Sequence, residues 1–305
     1  MPLFQNHVGV LLGLNSLRLV ELVYTNNEFI LENVDELNFD ENLNPAFIDK
    51  KFINILHNSF QKIISNNSLT SKNISFSLDP EFFQLLEVPF ENTLLKEDLI
   101  KHFKWELSKV KPMLDAEEHL IQHIELERPK QSHKHFASVL YLNKKILTII
   151  NNLAQSNDFK LRYVDYSHSS ANIFLRYLNK SFGSSGLSLY RSDKSLGAIV
   201  LEDYKPVVMR KYPLADYELN EIVERFLFDL KKDEIDYSAL SYSFLAGVNI
   251  REVQTEMIYN LLGIKTTQID PFEVVKASTG FSSGVNLKEI PSRFSPAAGI
   301  ALRLF

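Results

Sequence analysis

The stretch Gly9-Val10-Leu11-Leu12-Gly13-Leu14-Asn15-Ser16-Leu17-Arg18-Leu19-Val20-Glu21-Leu22 decides how this chain is read. Apolar residues run to Leu12, Gly13 with Asn15 and Ser16 supplies a turn, and Leu17, Leu19 and Val20 resume the run. That is strand, tight turn, strand. A second reversal follows at Thr25-Asn26-Asn27. Beyond Pro45, the residues Phe47, Ile48, Phe52, Ile55, Leu56, Phe60, Ile63 and Ile64 trace one face of a helix that Asn66-Asn67-Ser68 ends.

The pattern returns later. Ser188 to Tyr190 reads as a strand, Ser192-Asp193-Lys194 as a turn, Leu196 to Leu201 as a strand, Asp203-Tyr204 as a turn, and Val207 to Tyr212 as a third strand. Leu219, Ile222, Val223, Phe226, Leu227 and Leu230 then fall at helical spacing. A duplication and two unrelated meanders both fit, and pattern alone favours neither.

The intervening segment has a different texture. Strands are expected at Ile74–Leu78, Phe82–Val88, Leu120–Leu126, Phe136–Leu142 and Leu161–Val164, with helices over Leu95–Val110 and Lys144–Ala154. This reads as a small α+β unit set into the first half. Tyr166 to Phe182 reads as helix, and Gly183-Ser184-Ser185-Gly186 as a linker. The last third offers a strand at Ala239–Leu245, a turn at Ala246-Gly247, a helix over Ile250–Leu262, a strand at Ile264–Ile269, and a small-residue helix from Phe294 to Leu302.

With 305 residues, a two-domain or two-lobed body is the expectation. The formal charge of −5 argues against a nucleic-acid binder, which would carry a basic face. The absence of cysteine excludes a disulfide frame, a thiolate nucleophile and cysteine metal ligation. The start lacks a signal-peptide pattern, the end at Leu304-Phe305 lacks a basic amphipathic anchor, and no apolar window is long enough to span a bilayer. A cytoplasmic protein without direct membrane insertion is expected.

At this point the layout resembles the PilM-type type IV pilus assembly proteins, relatives of the division protein FtsA among the actin-like ATPases. Gly9, Gly13, Ser16, Arg18 and the run Leu19-Val20-Glu21-Leu22 lie over that family's opening hairpin. Val88-Pro89 and Lys111-Pro112 flank the helix of the inserted unit as they do there. Arg210 to Leu214 resembles its Arg-x-x-Pro-Leu, Leu245-Ala246-Gly247 its loop near the adenosine, and Asp270-Pro271-Phe272 its Asp-Pro-Phe. Ala298, Gly299 and Ala301 resemble its Ala/Gly-rich end. The resemblance covers nearly the whole chain. It implies a two-lobed, ribonuclease H-like duplicated α/β fold divided as 1–73, an inserted domain 74–164, a return segment 165–185 and a second lobe 186–305.

The departures bear on chemistry. An acid that helps to hold metal and nucleotide in that family falls on Leu11; an Asp-x-Gly in the second phosphate loop falls on Tyr190 and Ser192; paired glycines near the adenosine shrink to Gly247 beside Val248. Serine resists the backbone geometry that glycine gives for close phosphate approach. Hydrolysis is therefore not expected. The expected cofactor is none, with ATP and Mg²⁺ as the alternative. The residues of a vestigial nucleotide site would be Gly13, Asn15, Ser16, Ser192 and Gly247, although Gly13 with Asn15 and Ser16 reads better as an ordinary hairpin turn, and Gly247 as a helix-entry turn.

By the same resemblance, the chain would be a scaffold, self-associating as a homo-oligomer and clasping a short cytoplasmic peptide of an inner-membrane assembly protein. Aromatic residues concentrate around the inserted unit, so Phe82, Phe90, Phe103 and Trp105 are the candidates for a partner groove. The rivals are an active ATPase or sugar-kinase-type phosphotransferase, and an FtsA-like division protein. His119, His123, His133 and His135 lack diagnostic metal-ligand spacing, and no metal site is expected.

Overall fold

The computed structural model describes residues 5–128, 135–177, 185–214, 218–278, 281, 285–287 and 289–303. Strands β1 (Asn6–Leu12), β2 (Ser16–Thr25) and β3 (Glu28–Asn38) form an antiparallel meander. Its second turn places Asn26 and Asn27 at positive φ, which asparagine tolerates better than most residues. The carboxylate of Asp49 caps α1 (Lys50–Ser65) by accepting from the Phe52 amide at 2.9 Å. The helix buries Phe52, Leu56, Phe60 and Ile63, whereas Phe47 stays outside. β4 (Asn73–Leu78) then pairs parallel with β1.

The inserted unit consists of β5 (Phe83–Phe90), α2 (Lys96–Val110), β6 (His119–Leu126) and β7 (His135–Asn143), with sheet order β5-β7-β6. After it, α3 (Lys144–Ser156) leads to β8 (Lys160–Tyr166), which pairs parallel with β4. The expected 74–164 unit is thus too wide. β4 and β8 are strands of the first lobe's sheet, because β4 buries its backbone between β1 and β8.

The expected helix over Tyr166–Phe182 is shorter. α4 (Ser167–Ala171) passes into a 3₁₀ turn over Asn172–Arg176, and residues 178–182 lie outside the described residues. Of the expected linker, residues 183–184 also lie outside, while Ser185 and Gly186 are already strand. Gly186 is held there by close packing: a Cβ on it would meet the Tyr242 ring at 1.9 Å.

The second lobe comprises β9 (Ser185–Arg191), β10 (Ser195–Glu202), β11 (Lys205–Pro213), α5 (Leu219–Lys232), β12 (Tyr242–Gly247), α6 (Glu252–Leu262) and β13 (Thr266–Gln268). Its order, β11-β10-β9-β12-β13, is third-second-first-fourth-fifth. The first sheet runs β3-β2-β1-β4-β8, the same order and polarity, with one extra edge strand. Topology therefore decides for duplication.

The extra strand, β14 (Lys276–Ala277), and α7 (Ser295–Leu302) correct the expected 186–305 lobe. β14 pairs with β3, and α7 lies against β1, β2 and α4 of the first lobe. Every residue of α7 is buried, which its small side chains permit. His7 ties the joint: its Nδ1–H donates to the Ala301 carbonyl at 2.7 Å, and its Nε2 pairs with Ser75 Oγ at 2.9 Å. Because α1 and α7 cover opposite sides of this sheet, β1 is buried from Val8 to Leu12 as a continuous apolar run rather than an alternating one.

Candidate functional site

Parallel pairing of β1 with β4 brings their ends level, Leu12 against Leu78, so Gly13 and Asp79 emerge side by side. The Asp79 amide donates to the Leu12 carbonyl at 3.0 Å. Its carboxyl lies so close to Gly13 that a Cβ there would be 3.0 Å from Oδ2, which accounts for glycine in the turn. In the second lobe, β9 and β12 repeat the arrangement, with Arg191 level with Gly247. Gly247 has φ +116°, and a Cβ on it would meet the Arg191 carbonyl at 1.9 Å.

The two pairs face each other across the cleft between the lobes. Tyr190, fully buried on β9, donates its phenol to Asp79 Oδ1 at 2.7 Å. Ser192 Oγ and Ser195 Oγ both donate to Glu81 Oε1, at 2.6 and 2.8 Å. Lys211 on β11 donates to the carbonyls of Pro80 at 3.0 Å and Phe83 at 2.7 Å. In each case hydroxyl or ammonium comes from the second lobe, and carboxyl or carbonyl from the segment after β4.

Burial sets the protonation states. Removal from water, with Glu81 nearby, pushes the Asp79 carboxyl up to about 8. Burial, followed by the proximity of Asp79, holds the Tyr190 phenol well above its usual range, so it remains a donor. Burial lowers Lys211.

His168 stacks on Tyr190 with ring centres 5.7 Å apart. The single Ser188 hydroxyl proton goes to Asn172 Oδ1 at 2.6 Å. His168 Nε2, 2.9 Å from Ser188 Oγ, is therefore the donor, which leaves Nδ1 buried without a partner among the described residues. Burial lowers this imidazole to about 3 and keeps it neutral.

What remains open in the cleft is a polar pocket of about 250 Å³, lined in part by Asn15, Asp193, Gly247 and Asn249. Glu36 also lines it, bonded to Arg18 at 2.8 Å and to Arg293 at 3.0 Å, which line it too. Of the five residues expected from sequence, Asn15 and Gly247 line this pocket, while Gly13, Ser16 and Ser192 are buried. Asp79, Glu81, His168 and Lys211 were not singled out. An acid directly after a buried parallel strand, as in Leu78-Asp79, was the available signal.

The partner candidates are corrected. Phe82, Phe90 and Phe103 are buried, and Phe90 and Phe103 pack on each other at 6.2 Å in the core of the inserted unit. Trp105 alone is exposed, at 53%, with the Lys109 ammonium 3.1 Å from its ring centre. A larger groove, about 430 Å³, opens where the inserted unit and both lobes meet. Ile124, Ile173, Tyr177, Leu201, Met209 and Leu302 give it apolar wall, and Arg303, ion-paired with Asp165, lines it as well.

Antiparallel pairing sets His119 against Asn143 and His135 against Phe90, at opposite ends of β7. His133 lies outside the described residues. Among the described residues no group of three His, Asp or Glu is placed to hold a metal ion, and no helix is long and apolar enough to cross a membrane.

Two copies of one five-strand order, facing each other over paired turns, define the two-lobed actin-like fold, here with an inserted α+β unit. Among solved structures, the PilM-PilN type IV pilus biogenesis complex contains a chain similar over 99% of both lengths, with TM-score 0.75 and 14% identity. A protein with actin-like ATPase fold from Bacteroides thetaiotaomicron covers 88% of this chain and 91% of its own, at TM-score 0.52 and 9% identity. The ethanolamine utilization protein EutJ from Carboxydothermus hydrogenoformans covers 99% and 91%, at TM-score 0.50 and 12% identity. No protein-family model matches the sequence, and no curated protein matches it.

Proposed function

We propose that this protein is a non-catalytic scaffold of a type IV pilus or type II secretion-like machine. It works at the cytoplasmic face of the inner membrane, self-associates, and holds a short cytoplasmic segment of a membrane-embedded partner. The observation that carries the reading is the groove of about 430 Å³ at the three-body junction. Apolar side chains interleaved with the polar groups of Asp165, Ser169, Asn172 and Arg176 suit a short peptide with aliphatic anchors and a hydrogen-bonding backbone. The full-length likeness to the pilus-complex chain supports the same reading.

The groove replaces the Phe82–Trp105 region as the proposed docking place, since most of those aromatics are spent in cores. A photo-crosslinker placed at Met209, compared with one at Trp105, tests it in cells. Capture of an inner-membrane protein's cytoplasmic segment from Met209 is expected. Capture only from Trp105 would move the site to α2, and capture of no such protein from either would overturn the function.

A further inference from the structure

We propose that the side chains bridging the cleft stand in for a metal–nucleotide pair, holding the two lobes in one closed setting without a cofactor. The actin-like fold implies a nucleotide between these turns, and the residues present do not fit one. The Gly13, Ser192 and Val248 amides, at the mouths of the turns, are spent on the Ser16, Ser195 and Arg191 carbonyls at 3.0, 2.9 and 2.9 Å. A phosphate needs such N–H groups free. The groups that face across are carboxyls, which repel phosphate; Asp79 Oδ1 and Glu81 Oε1 already have their donors, while Glu81 Oε2 is buried without one among the described residues.

The remaining pocket of about 250 Å³ lies below the roughly 300–1,000 Å³ usual for ligand sites, and the Arg18–Glu36–Arg293 ion pairs form part of its lining. The bridge is built from independent parts. Tyr190 to Asp79, the two serines to Glu81, and Lys211 to the Pro80 and Phe83 carbonyls come from three successive strands of the second lobe and their turn. All converge on the five residues Asp79 to Phe83, where the chain leaves the first sheet for the inserted unit. The same closure shapes the larger groove, whose walls combine Ile173 and Tyr177 of one lobe with Leu201 and Met209 of the other. Lobe setting and groove shape are therefore fixed together.

The test is hydrogen exchange on the full-length protein, with and without Mg²⁺-ATP, on wild type, Tyr190→Phe and Ser195→Ala. Exchange at Asp79–Phe83 and Arg191–Ser195 should be slow in the wild type and unchanged by Mg²⁺-ATP. Each substitution should speed it about tenfold, the equivalent of one lost hydrogen bond, without changing the slowest core amides. Protection that rises with Mg²⁺-ATP in the wild type would overturn the proposal, as would unchanged exchange in Ser195→Ala, the variant that removes the smaller group. These readouts do not involve the membrane partner, so the proposal and the scaffold function fail separately.

Discussion

Asp79, from the end of β4, and Tyr190, from the end of β9, meet at 2.7 Å across the cleft, both shut off from water. A carboxyl in that position keeps a proton that an unfolded aspartate would release near pH 4. Its folded value is raised to about 8 by burial first and by Glu81 second, with Tyr190 and Arg18 opposing and Asp193 reinforcing. The folded state then binds more protons than the unfolded state between those limits. Stability from this group is complete below about pH 4 and is lost as pH rises through about 8, at up to about 1.4 kcal/mol per pH unit. Urea unfolding across that range should show the decline in wild type and a flatter profile in Asp79→Asn. An identical slope in both would place the proton elsewhere.

Glu21 makes a second, independent prediction. It is fully buried, and its Oε1 accepts from the Thr70 amide, the Thr70 hydroxyl and the Ser71 amide at 2.9, 2.9 and 2.7 Å, while Oε2 accepts from Asn33 at 2.5 Å. One carboxylate thus anchors the connection from α1 into β4. Glu21→Ala leaves the buried Ser71 amide without its acceptor, together with the less buried Thr70 and Asn33 donors, and should cost about 1–3 kcal/mol by denaturant unfolding. Glu21→Gln keeps an acceptor oxygen and should cost less.

Phe103 and Trp105 are two residues apart on α2 and face opposite ways. Phe103 is fully buried in the inserted unit, so Phe103→Ala should destabilise by about 3–5 kcal/mol. Trp105→Ala should change stability by no more than about 0.5 kcal/mol, since its ring contacts are Lys109 and His102 at the surface. Chemical denaturation of the two variants separates core from surface, and equal losses would contradict the burial pattern.

Gly299 on α7 sits against α4: a Cβ there would fall 1.9 Å from the Ser170 carbonyl. Backbone cannot yield as a side chain does, so Gly299→Ala should lower stability by about 1–3 kcal/mol. Thermal unfolding measures it, and a neutral result would mean α7 packs less closely on α4 than described.

The sequence carried most of the scaffold and less of the site. Strand and helix periods located both meanders because Leu12, Gly13 and Asn15 in one half, and Tyr190 with Ser192 to Lys194 in the other, mark their turns locally. Sheet membership was not local. Whether β4 belonged to the lobe or to the inserted unit depended on its pairing with β1, some sixty residues upstream, which no window reveals. The cleft failed for a related reason. Asp79 and Glu81 become significant only once Tyr190, Ser192 and Ser195 arrive opposite them, more than a hundred residues later. Phe82, Phe90 and Phe103 misled because composition counts aromatics without saying which way they point.

The position of α7 has a consequence for how the chain is made. β9 to β13 supply the whole second sheet from one unbroken run of synthesis, so that lobe has all its strands once residue 268 has emerged. The first sheet begins with residue 6 but waits for α7, residues 295–302, to cover β1. A growing chain must carry β1 to β3 uncovered on one side until residues 295–302 appear, and the sheet whose strands are made later has all of them first.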